Sequence, residues 1–194
     1  MHSGDFVHKN IRPENLIIFE PTVNVSGRSK RQFQFPRAIG DAYLVGYDGI
    51  RKVDAASNRI RVDDWKQTIY LSPVRHRLSI GDEYKMQHDV YSLGVVLLEI
   101  ALWGSFTSRS SGIGKLLWDG QSLKPPDELK QTFINIAKRN VPQLMGQRFS
   151  DVVVVCLEEL KDDEDQGRLE DQDGIVVETA YITEVMNKLE EIVM

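Results

Sequence analysis

Cysteine is nearly absent: Cys156 is the single thiol in 194 residues, so no internal disulfide can form. That scarcity fits a reducing, cytoplasmic setting. Its place in the apolar run Ser150-Asp-Val-Val-Val-Val-Cys-Leu157 marks a buried structural thiol rather than a nucleophile. Basic excess is also missing. The net charge is −5, which argues against a general nucleic-acid binder. There is no long apolar run, since Leu93 to Trp103 carries Glu99 and falls short of the about 20 residues a membrane span needs. Met1 to Phe19 shows no basic-then-apolar build-up and no small-residue cleavage site, so no secretory signal is expected there. Ser111-Gly-Ile-Gly-Lys115 lacks the spacing of a phosphate-binding loop and runs directly into Leu116-Leu117. Asp163-Glu-Asp-Gln-Gly167 lacks the alternating oxygen ligands and closing Glu of a calcium loop.

What is present is an ordinary globular composition, 41% hydrophobic and 27% charged, enough for one domain or one lobe of a larger one. Leu16-Ile-Ile-Phe19 suits a buried strand, and Ala42-Tyr-Leu-Val45 a second strand that closes a hairpin with it. Between them Glu20 to Arg37 reads as a surface loop, with Arg28, Lys30 and Arg31 at a solvated tip within reach of an acidic partner. Val90 to Leu102 is apolar on nearly every side and predicts a helix buried in a core. Asp127 to Arg139 predicts a second helix, capped by Asp127, with Leu129, Phe133, Ile136 and Ala137 on one face. Ser150 to Leu157 stays open between a β-branched strand and a helix with Ser150 as its N-cap. A last helix is expected at Tyr181 to Val193, with Tyr181, Val185, Leu189 and Ile192 in phase. Residues 158–173 are rich in Asp and Glu and read as a disordered or solvated acidic insertion. No internal repeat is visible.

The segments that carry chemistry begin with His8-Lys-Asn-Ile-Arg-Pro-Glu-Asn15. Tyr70-Leu-Ser-Pro73 and His88-Asp-Val-Tyr-Ser-Leu-Gly-Val-Val-Leu-Leu-Glu-Ile100 follow in that order. Together they resemble the catalytic loop, the end of the activation segment and the central helix of a protein kinase's large lobe. The resemblance spans roughly residues 4 to 157 and implies a mainly α (α+β) fold: a kinase-like C-terminal lobe with a short β-hairpin. The whole chain, 1–194, would be that lobe, incomplete at its N-terminus. By the same resemblance the small lobe, with its glycine-rich turn and its lysine for the α- and β-phosphates, is expected to be missing from these residues.

By that resemblance His8 and Asp89 are structural, Asp89 accepting hydrogen bonds from the backbone of the loop. A plain N-cap role for Asp89 fits the same position. A carboxylate leading a buried helix has to find donors in either case. Asn10 stands where kinases carry the catalytic Asp, and an amide cannot accept a proton at neutral pH. Arg12 stands at the catalytic-loop Lys position, and Asn15 at the Mg²⁺-binding Asn. Two registers are open for the metal-binding D-F-G motif. In the first, which keeps the aromatic and the strand length, Tyr47 takes the Phe position and Gly46 replaces the metal-binding Asp. In the second, Asp48 is the ligand. Asn15 and Asp48 are then the Mg²⁺ candidates. Lys9 replaces an Arg that pairs with phosphate in many kinases. Val74 replaces a Glu, and its expected late-helix Arg partner has no clear equivalent near Cys156-Leu157, so the two losses are consistent.

His8 to Asn15, Leu44-Val-Gly-Tyr-Asp48, Met86 to Gly94 and Asp173-Gly-Ile-Val176 are also similar to the degenerate kinase-like domains of filamentous-fungal multidomain proteins. These include domains found with prion-inhibition and propagation (HeLo-type) domains. That resemblance implies a fungal source and a pseudokinase working through unidentified protein partners in signalling or incompatibility. No nucleic-acid partner and no membrane span are expected from the charge and the hydropathy, and no cofactor is expected on the pseudokinase reading. One alternative is an active ATP-dependent serine/threonine kinase using ATP and Mg²⁺ through Asp48. Another is a truncated gene product without an independent role.

Overall fold

The computed structural model describes residues 6–19, 23–25, 28–30, 40–46, 51–52, 65–77, 84–110, 112–158 and 175–193. It is mainly helical. In chain order the elements are β1 (Phe6–Val7), β2 (Leu16–Ile18), β3 (Val23–Val25), β4 (Arg28–Lys30), β5 (Ala42–Leu44) and β6 (Arg51–Lys52). Helices α1 (Trp65–Thr68), α2 (Pro73–Arg77) and α3 (Met86–Leu102) come next. After them are β7 (Trp118–Asp119), β8 (Ser122–Leu123), α4 (Pro126–Arg139), α5 (Val141–Met145), α6 (Gln147–Glu158) and α7 (Ile175–Val193).

Helix α3 is the central post. Its apolar sequence buries Val90, Tyr91, Val95, Val96, Leu98 and Ala101, and the helix starts four residues before the expected Val90, at Met86. It ends where Trp103 turns left-handed (φ 49°) and the Gly104 N–H returns to the Glu99 carbonyl at 3.2 Å. Gly94 sets how closely α6 can lie against it. A Cβ there would stand 2.8 Å from the Cys156 Cβ and 3.3 Å from Leu157. The absence of a side chain at this position is therefore a packing requirement.

The segment Ser150 to Leu157 is helical and part of α6, so the strand alternative fails. Val152, Val153, Cys156 and Leu157 are buried at i, i+1, i+4 and i+5, a helical spacing that satisfies both α3 and α4. Burial in this seam outweighs the β preference of the valines. Ser150 is no N-cap either: it lies inside the helix, and its hydroxyl donates to the Ala137 carbonyl of α4 at 2.9 Å. On α4 the predicted face is buried, joined by Ile134. Asp127 does not cap it. Pro125 occupies the cap position with no side-chain cap bond, and Asp127 pairs with Arg77 of α2 instead.

The last helix begins six residues earlier than Tyr181, and Val185 joins Val90, Val152 and Cys156 in a second small cluster. The proposed acidic insertion lies outside the described residues, apart from Glu158 at the end of α6. The main core is built from α3, α4 and α6 with Ile69, Tyr70, Phe106 and Leu117, the Phe106 and Phe133 rings tilted 4.8 Å apart.

The strands form four antiparallel pairs among the described residues. The predicted hairpin is present, with Leu16, Ile17 and Ile18 opposite Leu44, Tyr43 and Ala42. It is less buried than expected, since Ile17, Ile18, Phe19 and Tyr43 are all exposed. The stretch read as a surface loop contains a second pairing, Val23 to Val25 against Arg28 to Lys30. Alternating valines and the two-residue spacing between the strands favour it; Arg31 lies outside the described residues. Strand β1 pairs with β6, and β7 with β8. Among the described residues no helix is long and apolar enough to cross a membrane.

Candidate functional site

The segment from His8 to Asn15 enters from β1 and is gripped from beneath by α3. The Asp89 carboxylate accepts the His8 N–H at 2.6 Å, the Lys9 N–H at 2.9 Å and the Tyr84 hydroxyl at 2.9 Å. Lys9 is one of two non-glycine residues with positive φ among the described residues (66°), a conformation that costs on the order of 1 kcal/mol. Two backbone donors meeting one carboxylate fix the chain in that turn. Lys85, not Asp89, occupies the N-cap position of α3, so the plain-cap reading of Asp89 fails. Burial pushes the Asp89 carboxyl above its ordinary range, while the His8, Tyr84 and Lys9 donors pull it back.

Pro13 to Asn15 make a 3-10 turn, closed by the Asn15 N–H on the Arg12 carbonyl at 3.0 Å. Asn15 is buried and serves as a junction. Its Nδ2 donates to the Asn10 carbonyl at 2.7 Å, and its own carbonyl accepts the Val45 N–H at 2.8 Å. The strand after Val45 then turns at Gly46 with φ 86°. A Cβ at Gly46 would fall 2.8–2.9 Å from the three terminal atoms of the Asn15 carboxamide. Asn10, Asn15 and Gly46 therefore meet at one corner; Tyr47 and Asp48 lie outside the described residues.

Among the described residues that corner offers amide and carbonyl oxygens and no carboxylate. A Mg²⁺ ion demands near-octahedral oxygen ligation and is usually held through carboxylates. The residues described at this corner do not fit it. Among the described residues no group of three His, Cys, Asp or Glu side chains is placed to hold a metal ion.

Arg12 and Glu14 lie toward a second polar group that the sequence did not single out. The Tyr70 hydroxyl donates to Glu99 Oε2 at 2.9 Å, and the Phe106 N–H donates to Oε1 at 2.5 Å. Burial raises the Tyr70 phenol far above its usual range, with Glu99 adding to the effect and Arg12 opposing it. Burial also raises Glu99, against donors that include Phe106, Tyr70 and Ser105. The Ser92 hydroxyl donates to the Tyr70 carbonyl at 2.7 Å, so Tyr70 is tied to α3 at both ends. This group holds the 69–72 segment on the post; its tyrosine keeps its proton and supplies no base. A Glu inside an otherwise apolar helix was the available signal for it.

Tyr84 was the other omission. Besides bonding Asp89, its ring is flanked by two cations, Lys9 Nζ at 5.3 Å and Arg75 Cζ at 5.4 Å. His88 meets the same ring edge-on at 4.9 Å, and its Nδ1 accepts the Lys85 N–H at 3.1 Å, which places the neutral ring's proton on Nε2. Burial, with Arg75 and Lys85 adding, lowers the His88 pKa to about 4. Val74 is exposed, on the outer side of α2. Cys156 is buried and its thiol is pushed up to about 12 by burial, which keeps it un-ionised at neutral pH. Comparisons of the chain with family models, with curated proteins and with solved structures found no match.

Proposed function

We propose that this chain is a degenerate protein-kinase-like large lobe that acts as a protein-interaction or scaffolding module, of the fungal signalling or incompatibility type, and not as a phosphotransferase. The observation that carries this reading is the corner of Asn10, Asn15 and Gly46. Phosphoryl transfer of the kinase type needs a carboxylate to take the hydroxyl proton and another to hold Mg²⁺ at the β- and γ-phosphates. On the register that keeps the aromatic, an amide takes the first place and Gly46 the second; Asp48, the ligand of the other register, lies outside the described residues. Loss of a general base alone costs roughly 10²- to 10⁴-fold in rate.

The loop is nevertheless held in shape by Asp89 and Asn15, which is what a binding module needs and a decayed segment would lose. Beside it, the exposed Ile17, Ile18, Phe19 and Tyr43 give the β2–β5 hairpin an apolar surface suited to protein contact.

The test is a thermal-unfolding scan of the purified chain with and without Mg·ATP, together with a phosphotransfer assay on the Asn10→Asp variant. No nucleotide-dependent shift at millimolar ATP and no turnover in the variant are expected. A saturable shift abolished by Asp48→Ala, or appreciable turnover in Asn10→Asp, would overturn the reading in favour of an active kinase.

A further inference from the structure

We infer that the position expected to hold a metal carboxylate has been rebuilt as a packing lock, so that one substitution cannot restore it. Three facts converge. Gly46 has a left-handed φ of 86°, a conformation strained for any residue with a Cβ. The volume that its Cβ would take is filled by the Asn15 carboxamide, at 2.8–2.9 Å. That carboxamide cannot swing aside freely, because its Nδ2 is spent on the Asn10 carbonyl at 2.7 Å and its residue is buried.

The neighbouring bond from the Val45 N–H to the Asn15 carbonyl pins the two backbones at the same place. Asn15 is thus a positioning residue that clamps the 8–15 loop to the exit of β5, and Gly46 is the small partner that lets the clamp close. An aspartate at position 46 would displace Asn15, open its bond to Asn10 and still leave a strained backbone. The reading given above supplies only the expectation that a metal ligand belongs here; the lock itself is a matter of distances.

Five variants test it: Gly46→Ala, Gly46→Asp, Asn15→Ala, and Asn15→Ala combined with each change at 46. Gly46→Ala should lower the unfolding midpoint by roughly 4–12 °C, from overpacking and positive-φ strain together. In the Asn15→Ala background the same change should cost less than half as much, because only the backbone strain remains. Gly46→Asp should fall at least as far as Gly46→Ala, and titration with MgCl₂ or MnCl₂ alone, up to about 10 mM, should not bring it back. A genuine site with a dissociation constant near 100 µM would return about 5–10 °C at that concentration.

A cation-dependent recovery of that size in Gly46→Asp would overturn the inference, as would an equal cost of Gly46→Ala with and without Asn15. If Gly46→Asp does not fold, folding of the Asn15→Ala/Gly46→Asp double variant supports the lock, and its failure overturns it. The wild-type nucleotide scan remains separate. A shift there that depends on Asp48 would remove the non-catalytic reading and leave the lock standing.

Discussion

The helical half of the molecule and the strand-and-loop layer in front of it are held together by different kinds of interaction. Around α3, α4 and α6, stability comes from area: many fully buried aliphatic and aromatic side chains, each contributing about 1.5–3 kcal/mol on removal from water. From Val7 to Gly46 the strands are two or three residues long, and much of the apolar surface on β2 and β5 is left exposed. Among its described residues that layer is held by a few directed contacts, chiefly Asp89 to His8 and Lys9 and Asn15 to Asn10. Area tolerates substitution, whereas a contact made by one carboxylate does not.

The sharpest way to break this contrast is Asp89→Ala. It leaves two backbone N–H groups and the Tyr84 hydroxyl without their acceptor, at a cost of about 3–5 kcal/mol. Amide hydrogen exchange should rise steeply at His8 and Lys9 while the α4 and α6 amides stay protected. Uniform loss of protection would show that the two regions are one cooperative unit.

His88 comes next, at the boundary between them. Its folded pKa of about 4 lies below the roughly 6.5 of an unfolded histidine. Below 6.5 the unfolded chain takes up a proton that the folded chain refuses, so this stabilisation is full above pH 6.5 and is lost as pH falls toward 4. The size is on the order of 3 kcal/mol. Asp89 and Glu99, both raised by burial, act with the opposite sign at the acid end, because the folded state holds their protons longer. Denaturant midpoints of His88→Gln, which keeps an acceptor for the Lys85 N–H, should vary less between pH 6.5 and 4 than those of the wild type.

Gly94→Ala probes the helical side, pressing a methyl to 2.8 Å from the Cys156 Cβ. It should cost about 1–3 kcal/mol and lower the midpoint of the whole molecule without altering loop exchange selectively. Smallest of all, Lys138→Ala removes an exposed pair with Glu158 and should change stability by less than about 1 kcal/mol in a urea titration.

Sequence reading reached the helical half far better than the loop layer, for the same physical reason. Leu129, Phe133, Ile136 and Ala137 announce their common face by spacing alone, as Val90 to Leu102 announce a buried helix. Boundaries were less legible: Lys85 and Pro125 are not conventional caps, so α3 and α4 start without the expected polar signal. Ser150 to Leu157 stayed open because valine's local preference and its burial in the α3–α6 seam pull in opposite directions. The site was legible where one residue had one neighbour implied by a motif, as with Asp89. Tyr84 and Glu99 were missed because their hydrogen-bond partners lie five to twenty-nine positions away in sequence and carry no spacing rule. Nothing in the letters Gly-Tyr-Asp says that position 46 rests against a carboxamide thirty-one residues earlier.

The Gly94 notch has one more consequence. By letting α6 settle so close, it hides the chain's single sulfhydryl in the seam, with the thiol held un-ionised by a pKa near 12. Only the thiolate reacts readily with alkylating agents. Alkylation is therefore expected only when this packing opens, at the α3–α6 seam or at the contact with Val185 of α7. The chain carries its own stopwatch for that opening, readable by mass spectrometry with no label engineered in.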